Sequence, residues 1–293
     1  MALVTLKEML ADAQKNKYAI PAFDVSNYDM IRAVADVAKE ERSPILFMGL
    51  EYDFKGTGRN YIAEMCKLTS ELYDVPVCLH LDHAENLDAI KKAIDAGFSS
   101  VMYDGSSLPF EENVQRTAEV VKYAHAHGVT VEAELGHVAN AIAGTETKNE
   151  AVDSEEDIEN ALTRPEEAAE FIERTDVDCL AVAIGTAHGV YVKAPTLRID
   201  RLDLIREAAQ RPLVLHGGSG TPDDQVQTAI EHGICKINIY SEVLKALNTG
   251  LRDKLNSIEN MSMWPCFVYE DAYNRMHDVI RDKIRVFGSN NRV

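Results

Sequence analysis

Eight short apolar runs rich in β-branched residues alternate along this chain with longer segments of helical period. They are Tyr18 to Val25, Pro44 to Met48, Pro76 to Leu81, Ser99 to Tyr103, Thr130 to Ala133, Cys179 to Ile184, Pro212 to Leu215, and Ile234 to Ile239. Alternation of strand and helix implies parallel pairing through right-handed crossovers. Eight such runs favour closure, so the predicted fold is α/β, a (β/α)8 TIM barrel. The 293 residues suit it, because such barrels need about 250 and tolerate insertions.

The segments between the runs carry helix punctuation. Pro165-Glu166-Glu167 reads as a helix start, as does Thr221-Pro222-Asp223-Asp224, while Gly97, Gly128 and Gly233 read as helix ends. No low-complexity linker interrupts residues 1–293, which predicts a single barrel domain. The polar stretch from Ala139 to Thr163 is too long for a plain connection and lacks strand character. It predicts a mobile active-site loop, with a dispensable surface insertion as the plainer alternative. After the last run come a helix beginning near Ser241, then Trp264-Pro265 and a helical segment from about Tyr269 to Val286. This C-terminal helical extension, residues 265–293, could cap the barrel or pack on a partner in a homodimer or homotetramer.

Charge and cysteine content narrow the setting. With 48 acidic and 30 basic side chains the formal charge is -18, which argues against nucleic acid or anionic membrane as partner. Any anionic substrate must therefore be held by a local site. No stretch is long and apolar enough to span a bilayer, and Met1-Ala2-Leu3-Val4-Thr5 lacks the order of an export signal. The five cysteines are odd in number and scattered, which suits reduced thiols and a cytoplasmic location.

Function is read from the C-terminal ends of the runs, the face where barrel enzymes build their sites. In order from the third run these ends carry His80-Leu81-Asp82-His83, Asp104-Gly105-Ser106, Glu134-Leu135-Gly136, Gly185-Thr186-Ala187-His188-Gly189, His216-Gly217-Gly218-Ser219-Gly220 and Asn238-Ile239-Tyr240-Ser241. Any one of these histidines taken alone is more often a satisfied buried residue. Three of them, His83, His188 and His216, arising at three different strand ends, could meet as the imidazole set of a catalytic zinc. His80 shares strand parity with Asp82 and reads as an interior residue, whereas His83 breaks the alternation and reaches a metal only if the strand ends there. Asp82, beside a metal ligand, suits a general acid/base, or else orients His83. The glycines after His216 let backbone N–H groups approach a phosphate, and Asn238 and Ser241 stand where they could complete that site.

These segments resemble the class II fructose-bisphosphate and tagatose-bisphosphate aldolases. HLDHA, VMYDGSSLPFEENV, VEAELG, GTAHGVY, LVLHGGSG and KINIYSE occur in the family's order across nearly the whole chain. The resemblance implies zinc on His83, His188 and His216, with Asp104 and Glu134 supporting the metal region. It implies that Asp82 handles the proton of the hydroxyl at carbon 4. Gly189, Gly217, Ser219, Asn238 and Ser241 would bind a dihydroxyacetone phosphate unit, with Lys193 a further phosphate candidate and a monovalent cation, Na+ or K+, nearby. The implied substrate is a phosphorylated ketose, a 1-phosphate or 1,6-bisphosphate, cleaved between carbons 3 and 4. A metal-dependent barrel hydrolase or epimerase could use the same imidazoles, and non-catalytic sugar-phosphate binding would not call for Asp82.

Several positions depart from the family pattern. The loop after Glu134 usually supplies an acid that exchanges the carbon 3 proton, but here the chain reads His137-Val138-Ala139-Asn140-Ala141-Ile142, leaving Glu146 or Glu150 as substitutes. Asp24 replaces the usual asparagine, Tyr240 the usual aspartate and Ser241 the usual threonine. Tyr273, with Arg275 close by, falls near the arginine that bisphosphate members send from a partner subunit. These changes fall on distal specificity and not on the metal, and they predict that the aldehyde half of the substrate differs.

Overall fold

A computed structural model describes residues 3–53, 56–140, 159–189, 191 and 194–293. The eight barrel strands are β1 (Ile20–Asp24), β2 (Ile45–Gly49), β3 (Val77–Ala84), β4 (Ser100–Tyr103), β5 (Thr130–Leu135), β7 (Cys179–Val182), β9 (Leu213–Leu215) and β10 (Ile234–Ile239). They close in the order β1-β10-β9-β7-β5-β4-β3-β2, every pair parallel. This is the (β/α)8 barrel, and each strand lies within one of the eight apolar runs or overruns it by a few residues. Two further strands, β6 (Ala139–Asn140) and β8 (Ala187–His188), pair with each other outside the barrel.

Two layers of side chains hold the barrel, and strand alternation sorts them. Val131, Ala133 and Leu135 face the helices, as do Leu79 and Leu81. Ala22, Leu46, Met48, Cys78, Ala181 and Val214 fill the interior. The first helix, α1 (Leu6–Asn16), adds Leu6, Met9, Leu10 and Ala13 to that interior cluster. Its capping box of Thr5 and Glu8 fixes where it starts. Val4 N donates to Val77 O, and Lys7 binds Thr130 and Asp178, all at the N-terminal ends of strands. Thus α1 plugs the bottom of the barrel and keeps water out of it from below.

Between β1 and β7 run α2 (Tyr28–Glu41), α3 (Gly58–Leu72), α4 (Leu87–Asp95), α5 (Phe110–His125) and α6 (Pro165–Thr175); α7 (Ile199–Ala209), α8 (Asp223–Glu231), α9 (Ser241–Ser257) and α10 (Pro265–Val286) follow. Gly97, Gly128 and Gly233 all take the left-handed conformation expected after helices. The last helix starts at Pro265, one turn before Tyr269, because proline at its first position has no N–H to leave unbonded. It packs along α9, where Gly250 lets the Ala272 backbone approach closely, and against α2. Among the described residues no helix is long and apolar enough to cross a membrane, and all five cysteines are free thiols.

The polar stretch from Ala139 to Thr163 is tied to the barrel at both described ends. Ala139–Asn140 pairs with Ala187–His188, since a two-residue ladder needs only backbone groups and no strand-like side chains. Thr163 is buried, exchanging hydrogen bonds with Ala183 and donating its hydroxyl to Leu135 O. Glu146 and Glu150 lie outside the described residues, as does Lys193.

Candidate active site and metal centre

His83 reaches the mouth through an irregularity in β3. The register with β4 shifts between Leu81 and Ala84, and His83 takes φ +45°. A non-glycine residue at positive φ is strained, and here a bulge aims a side chain that regular alternation would have turned outward. The strand therefore does not have to end at His83, as its parity had suggested. Asp82 keeps the inward parity and lies on the same face as His80.

His188 is brought in by β8, whose pairing with β6 fixes its backbone. His216 follows β9 directly. The three rings stand edge to face or tilted, with centroids 5.1 Å apart for His83 and His188, 4.8 Å for His83 and His216, and 5.8 Å for His188 and His216. One ligand atom from each comes within 4.8 Å of the other two. His83 and His188, with Asp24, Leu50, Asp82, Gly189, Gly217, Ser219, Asn238 and Tyr240, line one cleft at the C-terminal mouth, and His216 lies buried beside it.

The fit of this set to a metal can be judged from its hydrogen bonds. His83 Nε2, His216 Nδ1 and both ring nitrogens of His188 are buried without a hydrogen-bond partner. Each such group costs about 1–3 kcal/mol if nothing satisfies it, and a single ion could take one nitrogen from each ring, three of these four. Burial, and then repulsion from His83 and His216, pushes His188 well below the ordinary histidine range, which leaves it neutral with a lone pair to donate. Three converging imidazoles, each with a buried nitrogen that no protein group satisfies, suit a divalent transition metal such as zinc.

Carboxylates fix the rings from behind. His83 Nδ1 lies 2.8 Å from Asp104 Oδ2, and Asp104 Oδ1 accepts from the Ser106 amide and hydroxyl. His216 Nε2 donates to Glu132 Oε1 at 2.9 Å, and its Nδ1 stands 3.2 Å from Glu134 Oε2 outside hydrogen-bond geometry. His83, Asp104 and Glu134 also form a second close group of potential ligand atoms. Burial alone would lower His83, but Asp82, Asp104 and Glu134 hold it well above its ordinary value.

Asp82 is 3% exposed and accepts from Asn238 Nδ2 at 3.3 Å on each oxygen. Burial would raise its carboxyl, yet the positive charge of His83, His216 and Lys236 outweighs this and keeps it ionised. Its Oδ2 is 3.8 Å from His83 Nε2, so it borders the imidazole set. Asn238, expected as a phosphate contact, therefore also holds Asp82. Ser219 Oγ accepts from the amides of Tyr240 and Glu242 at the start of α9, and Ser241 opens that helix, buried. Gly189 and Gly217 line the cleft at φ +99° and +66°.

Two interior residues escaped the sequence reading. Glu132 and Lys236 are wholly buried and paired at 2.8 Å beneath the cleft. Strand parity carried the signal, since Glu132 shares the inward face of Glu134 and Lys236 that of Asn238. His80 is interior as expected, bound to Ser100 Oγ at 2.7 Å. Tyr273 bonds Asp36 of α2 and lies under the Arg32 guanidinium, and Arg275 pairs with Asp253.

The family model described as class-II fructose-bisphosphate aldolase matches residues 4–292. Among solved structures, the YdjI aldolase of Escherichia coli K12 is 33% identical, with 99% of this chain and 98% of that one covered and a TM-score of 0.84. A candidate fructose-1,6-bisphosphate aldolase from Coccidioides immitis is 30% identical over 98% of this chain and 96% of its own, with a TM-score of 0.83. The fructose-bisphosphate aldolase of Campylobacter jejuni shares the fold at 24% identity, covering 100% and 97% of the two chains with a TM-score of 0.80. A match over nearly the full length, on a barrel whose mouth gathers His83, His188, His216 and Asp82, places this enzyme in the class-II fructose-bisphosphate aldolase family, to which the chain belongs.

Proposed function

We propose that this aldolase is zinc-dependent and cleaves or forms the bond between carbons 3 and 4 of a ketose 1-phosphate or 1,6-bisphosphate, with dihydroxyacetone phosphate and an aldehyde as the other side of the reaction. The observation that carries the reading is the convergence of three imidazoles with buried, unpartnered nitrogens beside an ionised, buried Asp82. His83, His188 and His216 would hold the metal, with Asp104 and Glu134 supporting them. Bound there, zinc supplies Lewis-acid stabilisation of the negative charge that develops on the substrate oxygens.

The chain's own groups then divide the remaining work. In cleavage Asp82 takes the proton of the carbon 4 hydroxyl as that oxygen becomes the aldehyde carbonyl, and the electron pair of the broken bond stays on the dihydroxyacetone phosphate half. Asn238 holds Asp82 in place through its amide. Glu146 or Glu150 would return a proton to carbon 3. Gly189, Gly217, Ser219, Asn238 and Ser241, with Lys193, are the proposed phosphate site; the left-handed glycines and the N-terminus of α9 support it, because both present backbone N–H groups to an anion. A monovalent cation, Na+ or K+, belongs to the proposal on family resemblance alone. Asp24 and Tyr240 line the same cleft and are the proposed contacts of the aldehyde half. The exposed Trp264 and Phe267 at the start of α10 support a homodimer or homotetramer.

A hydrolase or epimerase on the same imidazoles would leave the carbon 3 protons of dihydroxyacetone phosphate untouched. Proton NMR of dihydroxyacetone phosphate in deuterium oxide therefore tests the proposal. The zinc-loaded protein should erase one carbon 3 signal and the chelated protein should not. Retention of both signals with the loaded protein would sink the aldolase chemistry.

A further inference from the structure

We infer that the buried Glu132 and Lys236 position His216, holding the proton on its Nε2 and presenting its Nδ1 to the metal centre. This rests on the metal reading above but concerns residues that touch neither metal nor substrate. All three side chains are 0% exposed, inside the barrel above the plug formed by α1. Glu132 Oε1 lies 2.9 Å from His216 Nε2 and 3.1 Å from Lys236 Nζ, and Oε2 lies 2.8 Å from Lys236 Nζ. A carboxylate can only accept, so Nε2 is the donor, and Nδ1 is the nitrogen whose lone pair a bound metal would take in place of a proton. That nitrogen is buried, has no hydrogen-bond partner and faces the Glu134 side of the cleft.

The two oriented histidines are built in opposite senses. His83 gives Nδ1 to Asp104 and keeps Nε2 for the cleft, whereas His216 gives Nε2 to Glu132 and keeps Nδ1. Asp104 is near the mouth and is steadied by two hydrogen bonds from Ser106. Among the described residues Glu132 has no hydroxyl or amide donor of that kind; in the dry interior its other near contacts are the weak donor Cys179 Sγ at 3.9 Å and His80 Nε2 at 4.0 Å. A carboxylate there needs a counter-ion in place, and Lys236 is that ion. Without it Glu132 would turn away or neutralise, and in either case release the His216 N–H. Lys236 is thus a positioning residue, fully engaged beneath the site and not a nucleophile.

The test measures zinc affinity of metal-free protein by chelator competition, with circular dichroism to confirm folding. Lys236→Met should weaken zinc binding by about 10–100-fold, the usual cost of losing an outer partner of a ligand. The double variant Glu132→Gln, Lys236→Met should recover most of that loss, because the glutamine carbonyl still accepts from Nε2–H and needs no counter-ion. Parent-like affinity in Lys236→Met, or a folded double variant as weak as the single one, would overturn the inference. Should either variant fail to fold, nitrogen-15 NMR of the zinc-loaded parent decides. A proton on His216 Nε2 with metal at Nδ1 supports the arrangement, and metal at Nε2 overturns it. Failure of the parent to bind zinc at all would strike the underlying metal reading, a result distinct from a loss confined to the variant.

Discussion

His83 Nδ1 lies 2.8 Å from Asp104 Oδ2, across the join between β3 and β4, and this contact turns Nε2 of the ring toward the cleft. Asp104 cannot move to suit the ring, because Ser106 holds its other oxygen. Asp104→Ala should therefore lower zinc affinity about 10–100-fold while the barrel stays folded. Chelator competition measures it, and unchanged affinity would mean that the bulge at His83 orients the ring unaided.

Asp82→Ala separates acid/base work from metal holding. The variant should bind zinc at parent stoichiometry and lose roughly 10²-fold or more in turnover, the scale of a missing general acid/base. Proton exchange into dihydroxyacetone phosphate should fall far less, since that step does not involve the carbon 4 hydroxyl. Zinc content falling in step with activity would make Asp82 an orienter of His83 instead.

The two candidate loop acids can be told apart by the same exchange assay. Alanine at one of Glu146 and Glu150 should abolish exchange at carbon 3 while zinc and phosphate binding persist, and alanine at the other should be nearly silent. Parent rates in both variants would move the role to Glu134, Asp104 or a partner subunit.

His80 gives a pH dependence of stability. Burial first, then the charge of Lys236, pushes its ring down to about 3, against about 6.5 in an unfolded chain. Between these values the unfolded state binds a proton that the native state refuses, so this contribution is complete above about pH 6.5 and is lost as pH falls toward 3. The slope from this one residue is at most about 1.4 kcal/mol per pH unit. Denaturant unfolding of metal-free protein between pH 6.5 and 4.5 should show a shallower decline for His80→Gln than for the parent. Parallel curves would show that the buried ring accepts its proton without penalty.

Much of this was legible in the sequence because barrels write their plan locally. Each strand is a short apolar run and each polar ending falls on the same face, so His83, His188, His216 and Asp82 could be placed together before any coordinates. The bulge at His83 was not legible, since the sequence shows parity broken but not how the backbone absorbs it. The pairing of Glu132 with Lys236 was hidden for a different reason: residues 104 positions apart meet only when β5 and β10 face each other across a closed barrel. The start of α10 at Pro265 was readable from the proline, but the apolar period becomes clear only at Tyr269. What Asp24 and Tyr240 select is set by a substrate that neither sequence nor fold contains.

The most direct measurement is release of dihydroxyacetone phosphate, by coupled assay, from a panel of ketose 1-phosphates and 1,6-bisphosphates. It should be run on chelated protein, on zinc-restored protein, and with borohydride present. The account predicts release from at least one member, abolished by chelation, restored by zinc and unaffected by borohydride. Release that survives chelation, with covalent trapping of substrate on a lysine, would contradict it, because Lys236 or another amine would then be doing the work assigned to three imidazoles and a metal.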